Sequence, residues 1–415
     1  MDLSYSPIEG KSRSYKLLLV VLGALAILGL VSFGVSYILG HQVLGSSNAV
    51  PWGMPIVLFV YLIGLSAGSV ILSSLTYVFG REEYKPIARM AVFLAILLIF
   101  GCMVFIAADL GRPEKFWRLF MFFYLNNMSS MFAINGILYG GYFIISIVYL
   151  GFIVASKPEY TKIVGIVAVI WAIMVHTGTG AIFGFIGTRE IFSSPIKPFE
   201  FVAAALTSGT SLLILVVTAA HKLTNRTVNK ELILSLGRLL SIIIGVLLVL
   251  VFFDKFTHIY FPHREGTIFL FTGSYWWLFW ILQIGMGIIL PLIILLNPRT
   301  GRSVKGVIIA SISVVVGVLG ERAALVIPGT AQIQNLYPGH IEGIWGAVGV
   351  FRLTFWETSM SLGIIALVAL LFVLGLKYLE LLPAKEAEEA PTTSEESIPT
   401  GEAEPVSVGE GESGT

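Results

Sequence analysis

The chain has 415 residues, 56% hydrophobic and only 12% charged, with a mean hydropathy of +0.89. A soluble domain carries about 25% charged residues, so the composition excludes a soluble enzyme, a disordered protein and a nucleic-acid binder, and leaves an all-α polytopic membrane protein. The net charge of +1 sums unlike parts: residues 383–415 hold nine Glu and one Lys, and the rest of the chain is basic.

A spanning helix needs about 20 mostly apolar residues. Ten stretches qualify, roughly 16–39, 53–79, 87–108, 130–155, 162–187, 200–220, 233–254, 269–296, 305–327 and 355–377. The first is longer than a signal-peptide core and no convincing cleavage site follows it, so it reads as a retained span after a cytoplasmic N-terminus, residues 1–15. The transmembrane domain then covers 16–382. Residues 383–415, rich in Glu, Pro, Ser, Thr and Gly, read as a disordered acidic tail. With the N-terminus inside, 17 Lys and Arg fall on inner segments and 8 on outer ones. That bias places both termini in the cytoplasm and the chain in the cytoplasmic membrane.

The second span carries Gly64-Leu65-Ser66-Ala67-Gly68-Ser69 and the sixth carries Ala205-Leu206-Thr207-Ser208-Gly209-Thr210, an offset of 141 residues. Each holds a small-xxx-small pair that lets helices approach closely in lipid. The third span ends at Asp109 and the seventh at Asp254, at nearly the same offset. The pattern predicts two parallel four-helix units, about 50–187 and 198–328, flanked by one helix at each end.

Ionisable groups at membrane depth are costly and point to function. His176 in the fifth span, Asp254, the Glu321-Arg322 pair in the ninth span and Asp109 all fall in one outer layer, and the inner half is nearly free of such groups. Simpler roles compete: His176 as a helix-to-helix hydrogen bond, Arg322 as an ion-pair partner of Asp254 or another outer carboxylate, Asp109 as a cap or a partner of Arg112. Adjacent helical residues point about 100° apart, so Arg322 is not expected to pair with Glu321. Gly178, Gly180, Gly184 and Gly187 beyond His176 leave room for a flat ligand or a close helix. A histidine beside carboxylates can accept and release protons, which suits quinol oxidation. The electrons must then leave to a partner, because a single cysteine, Cys102, supplies no iron–sulfur cluster. A b-type haem lacks ligands: His176 alone is deep, while His41, His258, His263 and His340 read as at or beyond the outer surface and His221 as at the inner one. The outer turns 109–118 and 191–198 and the segment 328–354 read either as interface anchors or as a partner-docking face.

Several of these residues resemble the NrfD/PsrC-like membrane subunits of respiratory oxidoreductases. They are Trp52-Gly53 with the Gly64–Ser69 run, the turn Asp109-Leu110-Gly111-Arg112-Pro113, Ser194-Pro195, and Leu206-Thr207-Ser208-Gly209. Ten spans, His176-Thr177 and Glu321-Arg322 with Val326-Ile327-Pro328-Gly329 are closer to the DsrP and HybB branch. The resemblance implies a menaquinone or ubiquinone site near the outer face, with Tyr61 the nearest polar aromatic of the second span. It also implies a ferredoxin-like iron–sulfur partner and a larger catalytic subunit, such as a molybdopterin enzyme, a hydrogenase or a cytochrome. Within that site His176, Asp254, Glu321 and Arg322 are the expected catalytic groups, and Tyr61, Asp109 and Gly180 line the quinone. An ion or proton transporter and a passive anchor are the rival readings; against a transporter, no polar trail is evident toward the cytoplasm.

Overall fold

The computed structural model describes residues 4–118, 121, 130–224, 226, 229–262, 264–333 and 347–384. The acidic tail beyond Ala384, His263, His340 and much of the segment 328–354 lie outside those residues. Among the described residues the chain forms eleven helices: α1 (Arg13–Leu39), α2 (Met54–Tyr77), α3 (Lys85–Asp109), α4 (Met131–Val154), α5 (Pro158–Gly184), α6 (Lys197–Leu223), α7 (Lys230–Tyr260), α8 (Glu265–Thr272), α9 (Leu278–Leu296), α10 (Val304–Ala331) and α11 (Phe355–Tyr378). All but α8 are long and apolar enough to cross a membrane, so the chain is an all-α polytopic membrane protein.

Local chemistry sets the helix starts. Proline occupies the first turn of α2, α3, α5 and α6, where its missing N–H has no intrahelical partner to lose. Ser12, Asn229 and Thr354 cap α1, α7 and α11 by accepting backbone N–H groups on their side chains. After α3 the chain turns through Gly111 at φ +67°, a left-handed conformation that glycine adopts without steric cost.

Helix α2 is the axis of the bundle. It packs against α3, α5, α6, α10 and α11, and almost all of it is buried, whereas α1 leans on α11 at the lipid-facing edge. The small-residue motifs of α2 and α6 meet directly. A Cβ placed on Gly68 would lie 2.7 Å from the Gly209 Cα and 3.1 Å from its nitrogen. Lipid tails are as apolar as leucine, so helix association here rests on such close contact rather than on a hydrophobic driving force.

Both chain ends reach the same face. Tyr5–Ser6 pairs antiparallel with Leu382–Pro383, and Arg226 donates to the Pro383 carbonyl and, at 3.0 Å, to Ser6 Oγ. This terminal face and the opposite face are the two ends of the bundle.

Three boundaries differ from the hydropathy reading. Helix α7 runs to Tyr260, so Asp254 does not close it but sits more than a turn inside. The same extension buries His258, read from the sequence as a surface residue, at 8% exposure. The eighth stretch is broken after Thr272: the short α8 ends at Gly273, and a separate α9 starts at Leu278. Its first part, Leu278–Ile289, is wound as a π-helix. The Ser313 hydroxyl of α10 donates to the Met286 carbonyl at 2.6 Å, the kind of side-chain insertion that perturbs the regular ladder. The wider turn keeps Phe279, Gln283 and Gly287 on one buried face.

Replacing Gly68 with Leu forces α2 away from α6 and should cost about 1–3 kcal/mol as an overpacked contact. A lowered thermal unfolding midpoint in detergent reads this out; an unchanged midpoint shows that the Gly68–Gly209 contact does not hold the bundle.

Candidate functional site

Charged residues gather where α6, α7 and α10 meet near the face opposite the termini. The Ser194-Pro195 turn prepares it: Ser194 N–H donates to the Gly184 carbonyl at 3.0 Å, and Ser194 Oγ accepts Ile196 N–H at 3.2 Å. Helix α6 therefore starts at Lys197, against the end of α5. Lys197 Nζ donates to Glu200 Oε2 at 2.7 Å and to Asp254 Oδ2 at 3.0 Å, and Lys255 Nζ reaches the same Oδ2 at 2.9 Å. Lys197, Glu200 and Asp254 are at most 3% exposed. Ions this deep persist only when paired. His258 closes the cluster: its Nδ1 lies 2.7 Å from the Asp254 carbonyl oxygen and its Nε2 2.7 Å from that of Ser193.

Glu321 and Arg322 lie one layer deeper, about 15 Å from the end of α10 by helical rise. The structure corrects two expectations here. Arg322 pairs with Glu321, Nη1 to Oε1 at 3.2 Å, and not with Asp254, whose Oδ2 the two lysines already hold. Neighbouring Cβ directions diverge, but both side chains are long, and the guanidinium lies flat over the Phe201 ring, 4.0 Å from its centroid. That stacking and the pairing are compatible because only the side-chain tips need to converge. Arg322 Nε and Nη2 have no hydrogen-bond partner; Nη2 points toward Gly64 of α2, 3.9 Å from where a Cβ would stand.

His176 lies close enough to Arg322 for the two to interact electrostatically. It is 2% exposed. Its Nδ1 faces the Ala172 carbonyl at 3.0 Å; its Nε2 has no partner in hydrogen-bond geometry, although the Ile63 backbone also acts on the ring.

A small crevice of about 10 Å³, room for roughly one water molecule, opens against this cluster, lined by Lys197, Glu200, Phe201, Lys255, Gln283 and Glu321 among others. From Gln283 and Glu321 a packed seam with no room for water continues between α7, α9 and α10. Leu247, Val251, Ile288 and Val318 border it, with Gly287 and Gly317 on facing helices. Glu321 and Gln283 therefore stand where a polar crevice gives way to closed apolar packing.

The residues expected from the sequence divide. His176, Asp254, Glu321 and Arg322 come to one region. Asp109 does not: it ends α3 on the other side of α2, within electrostatic reach of Glu357, whose Oε1 accepts Met54 N–H at 2.7 Å. Among the described residues Asp109 has no ion pair, with Arg112 or otherwise. Tyr61 donates its hydroxyl to the Val315 carbonyl at 2.9 Å, which ties α2 to α10 away from the crevice. The space beside Gly180 is filled by α6, with Pro198 Cα 2.6 Å from where a Cβ would stand; the glycine serves a close helix. Lys197, Glu200, Lys255, His258 and Gln283 were missed. The signal was present in Lys197-x-x-Glu200 at the head of a span and in Lys255 beside Asp254, but reading each lysine as loop concealed it.

Asp254→Asn leaves Lys197 and Lys255 without their shared counter-charge. Breaking a buried pair costs about 3–5 kcal/mol, so the variant should unfold at lower temperature in detergent, and adding Lys255→Met should restore part of the loss. Equal midpoints for wild type and Asp254→Asn would count against a structural ion network.

Known proteins give this arrangement a context. Over 396 residues the chain is 34% identical to the Hdr-like menaquinol oxidoreductase integral membrane subunit of Archaeoglobus fulgidus, covering 93% of this chain and 98% of the relative. It is 31% identical to one of the subunits of the selenate reductase of Mesobacillus selenatarsenatis, covering 86% and 92%. The menaquinone reductase integral membrane subunit of Nitratidesulfovibrio vulgaris is 25% identical, over 83% and 86%. The first and third of these relatives are named as integral membrane subunits, and the second as a subunit of a reductase. The family model described as polysulphide reductase, NrfD matches residues 42–334, a span that contains every helix of the ion network and the crevice, and the chain belongs to that family.

Proposed function

We propose that the chain is the quinone-reactive membrane subunit of a respiratory oxidoreductase, passing electrons between the quinone pool and an iron–sulfur partner subunit. The observation that carries this reading is the buried group of ionisable residues in an otherwise apolar bundle: Glu321 paired with Arg322 beside Gln283, and His176 close to Arg322. The relatives named for menaquinol and menaquinone chemistry support the same class. The Lys and Arg bias supports a cytoplasmic membrane with both termini inside and the crevice toward the outer side. The partner then docks over that outer face, together with a larger catalytic subunit. The meeting of the offset-related motifs at Gly68 and Gly209 supports α2–α5 and α6–α10 as two copies of one unit.

A bound quinone supplies redox chemistry in which electrons and protons leave together. The side chains of this chain handle the protons and the geometry. Glu321 borders the crevice and is the group placed to take a proton there; Arg322, at 3.2 Å, holds its carboxyl in position. Gln283 on α9 would offer its amide to a ring oxygen of a bound quinone. Asp254 is clamped by two lysines and fixes the wall rather than exchanging protons. His176, within electrostatic reach of Arg322, is the second proton holder. Asp109 stands apart and serves the outer turn.

Glu321→Gln keeps the shape of the crevice and removes its base. Loss of a general base lowers turnover by about 100-fold or more. Quinol-analogue oxidation by the purified complex, with an artificial electron acceptor, should fall accordingly while the subunits still copurify. His176→Ala should also abolish quinol-linked transfer. Unchanged turnover in both variants would overturn the assignment.

A further inference from the structure

A cavity of about 700 Å³ opens at the terminal face, at the other end of the bundle from the crevice. The start of α1, the end of α6 and the end of α11 form its walls, and residues 6–12 close one side. Spanning helices begin and end near the membrane surface, so the cavity lies at the level of lipid head groups and the first part of the acyl chains. Its size is that of a small-molecule site.

Local contacts hold this space open. Ile8 N–H donates to the Leu376 carbonyl at 3.0 Å, and the Tyr15 hydroxyl donates to the Val373 carbonyl at 3.4 Å. Ser12 Oγ accepts Tyr15 N–H at 3.1 Å and so fixes where α1 begins. Between these anchors Gly10 turns the chain at φ +62°, a conformation that glycine adopts without steric cost. A Cβ on Gly10 would lie 3.0 Å from the Tyr15 ring and 3.2 Å from Lys377 Cδ. At the far side Arg226 is joined to Ser6 and Pro383. The segment is thereby tied across the helix ends instead of folding into the space behind it.

The lining has two chemistries. Leu18, Ala220, Leu223, Val373 and Leu376 make an apolar side, and Leu223, 72% exposed, marks where it opens toward lipid. Lys11 and Arg226 stand on the polar side, and the stem of Lys377 lies against Gly10 at its rim. Among the described residues that line the cavity the carboxylate is Glu9. It reaches Lys11 only at 3.8 Å, with side chains 84% and 85% exposed, a pairing worth little in water. The polar side is therefore net basic. Water alone, at about 30 Å³ per molecule, would fill the space but would wet the apolar side, which hydrocarbon covers at no such cost. A neutral head group would leave the cations unmatched. An anionic phospholipid meets both sides at once, as basic pockets between spanning helices do elsewhere.

We infer that this cavity is a binding site for one anionic phospholipid, with its phosphate at Lys11, Arg226 and Lys377 and its acyl chains between α1, α6 and α11. Helix α1 packs on α11 and has little contact with α6. The lipid fills the gap between them and joins the first span to the body of the bundle. The site does not depend on the quinone assignment, because it lies at the opposite end of the helices and uses none of the same residues.

The test is native mass spectrometry of the purified full chain, stripped of lipid in detergent and titrated with phosphatidylglycerol, phosphatidylcholine or glycerol phosphate. Wild-type protein should retain one phosphatidylglycerol at concentrations where the other two do not bind. Lys11→Glu with Lys377→Glu should weaken that binding by about tenfold or more, while Lys11→Arg with Lys377→Arg should keep it. Leu18→Trp fills the apolar side and should also weaken it. Lys305→Glu reverses a charge at the start of α10, outside the cavity lining, and should leave it as in wild type. Equal retention of phosphatidylcholine, equally tight binding of glycerol phosphate, or wild-type affinity in both the Lys→Glu pair and Leu18→Trp overturns the site. Deleting residues 385–415 tests the acidic tail as a rival occupant. Unchanged retention supports the lipid, and retention that appears only after the deletion overturns it.

Discussion

Charge cannot be left unpaired in hydrocarbon, and this bundle is arranged around that constraint. Asp254 receives both Lys197 and Lys255 on one oxygen, and Lys197 is shared with Glu200. The network fixes the start of α6 against α7 and thereby the turn at Ser194-Pro195. It also sets the wall of the crevice, since Lys197, Glu200 and Lys255 line it. Arg322 answers the same constraint by another route, with a carboxylate on one side and an aromatic face on the other.

Small residues bring the charged helices close enough to pair. Gly180 and Gly184 admit the first turn of α6 against α5, and Gly68 and Gly209 join α2 to α6. Gly287 meets Gly317 where α9 and α10 approach, and the same pair borders the packed seam beside Glu321. Glycine closes each of these interfaces by letting the backbones approach. The π-wound part of α9 adds to this by keeping Gln283 and Gly287 on one buried face.

The ionisable groups near the end opposite the termini play different parts. Glu321 borders the small crevice, Asp254 is locked by two lysines, His176 is enclosed, and Asp109 lies with Glu357 across α2. A group at a crevice can exchange a proton there; a group held by two lysines cannot do so without breaking the network.

Hydropathy by itself determined that this is a ten-span membrane protein, because lipid demands long apolar helices and tolerates few charges. Charge bias suggested an orientation, and the small-xxx-small motifs of α2 and α6 marked helices that meet. His176, Asp254, Glu321 and Arg322 were visible because an ionisable residue stands out against an apolar run. Lys197, Lys255 and His258 were not, since each lies at the edge of such a run, where composition reads as loop; only the added turns of α6 and α7 bury them. Tertiary structure alone decided which charges pair, because side-chain reach and the competition for Asp254 depend on three helices at once. It also separated Asp109 from Glu321, because which face of α2 each neighbouring helix packs against is settled only when the helices assemble.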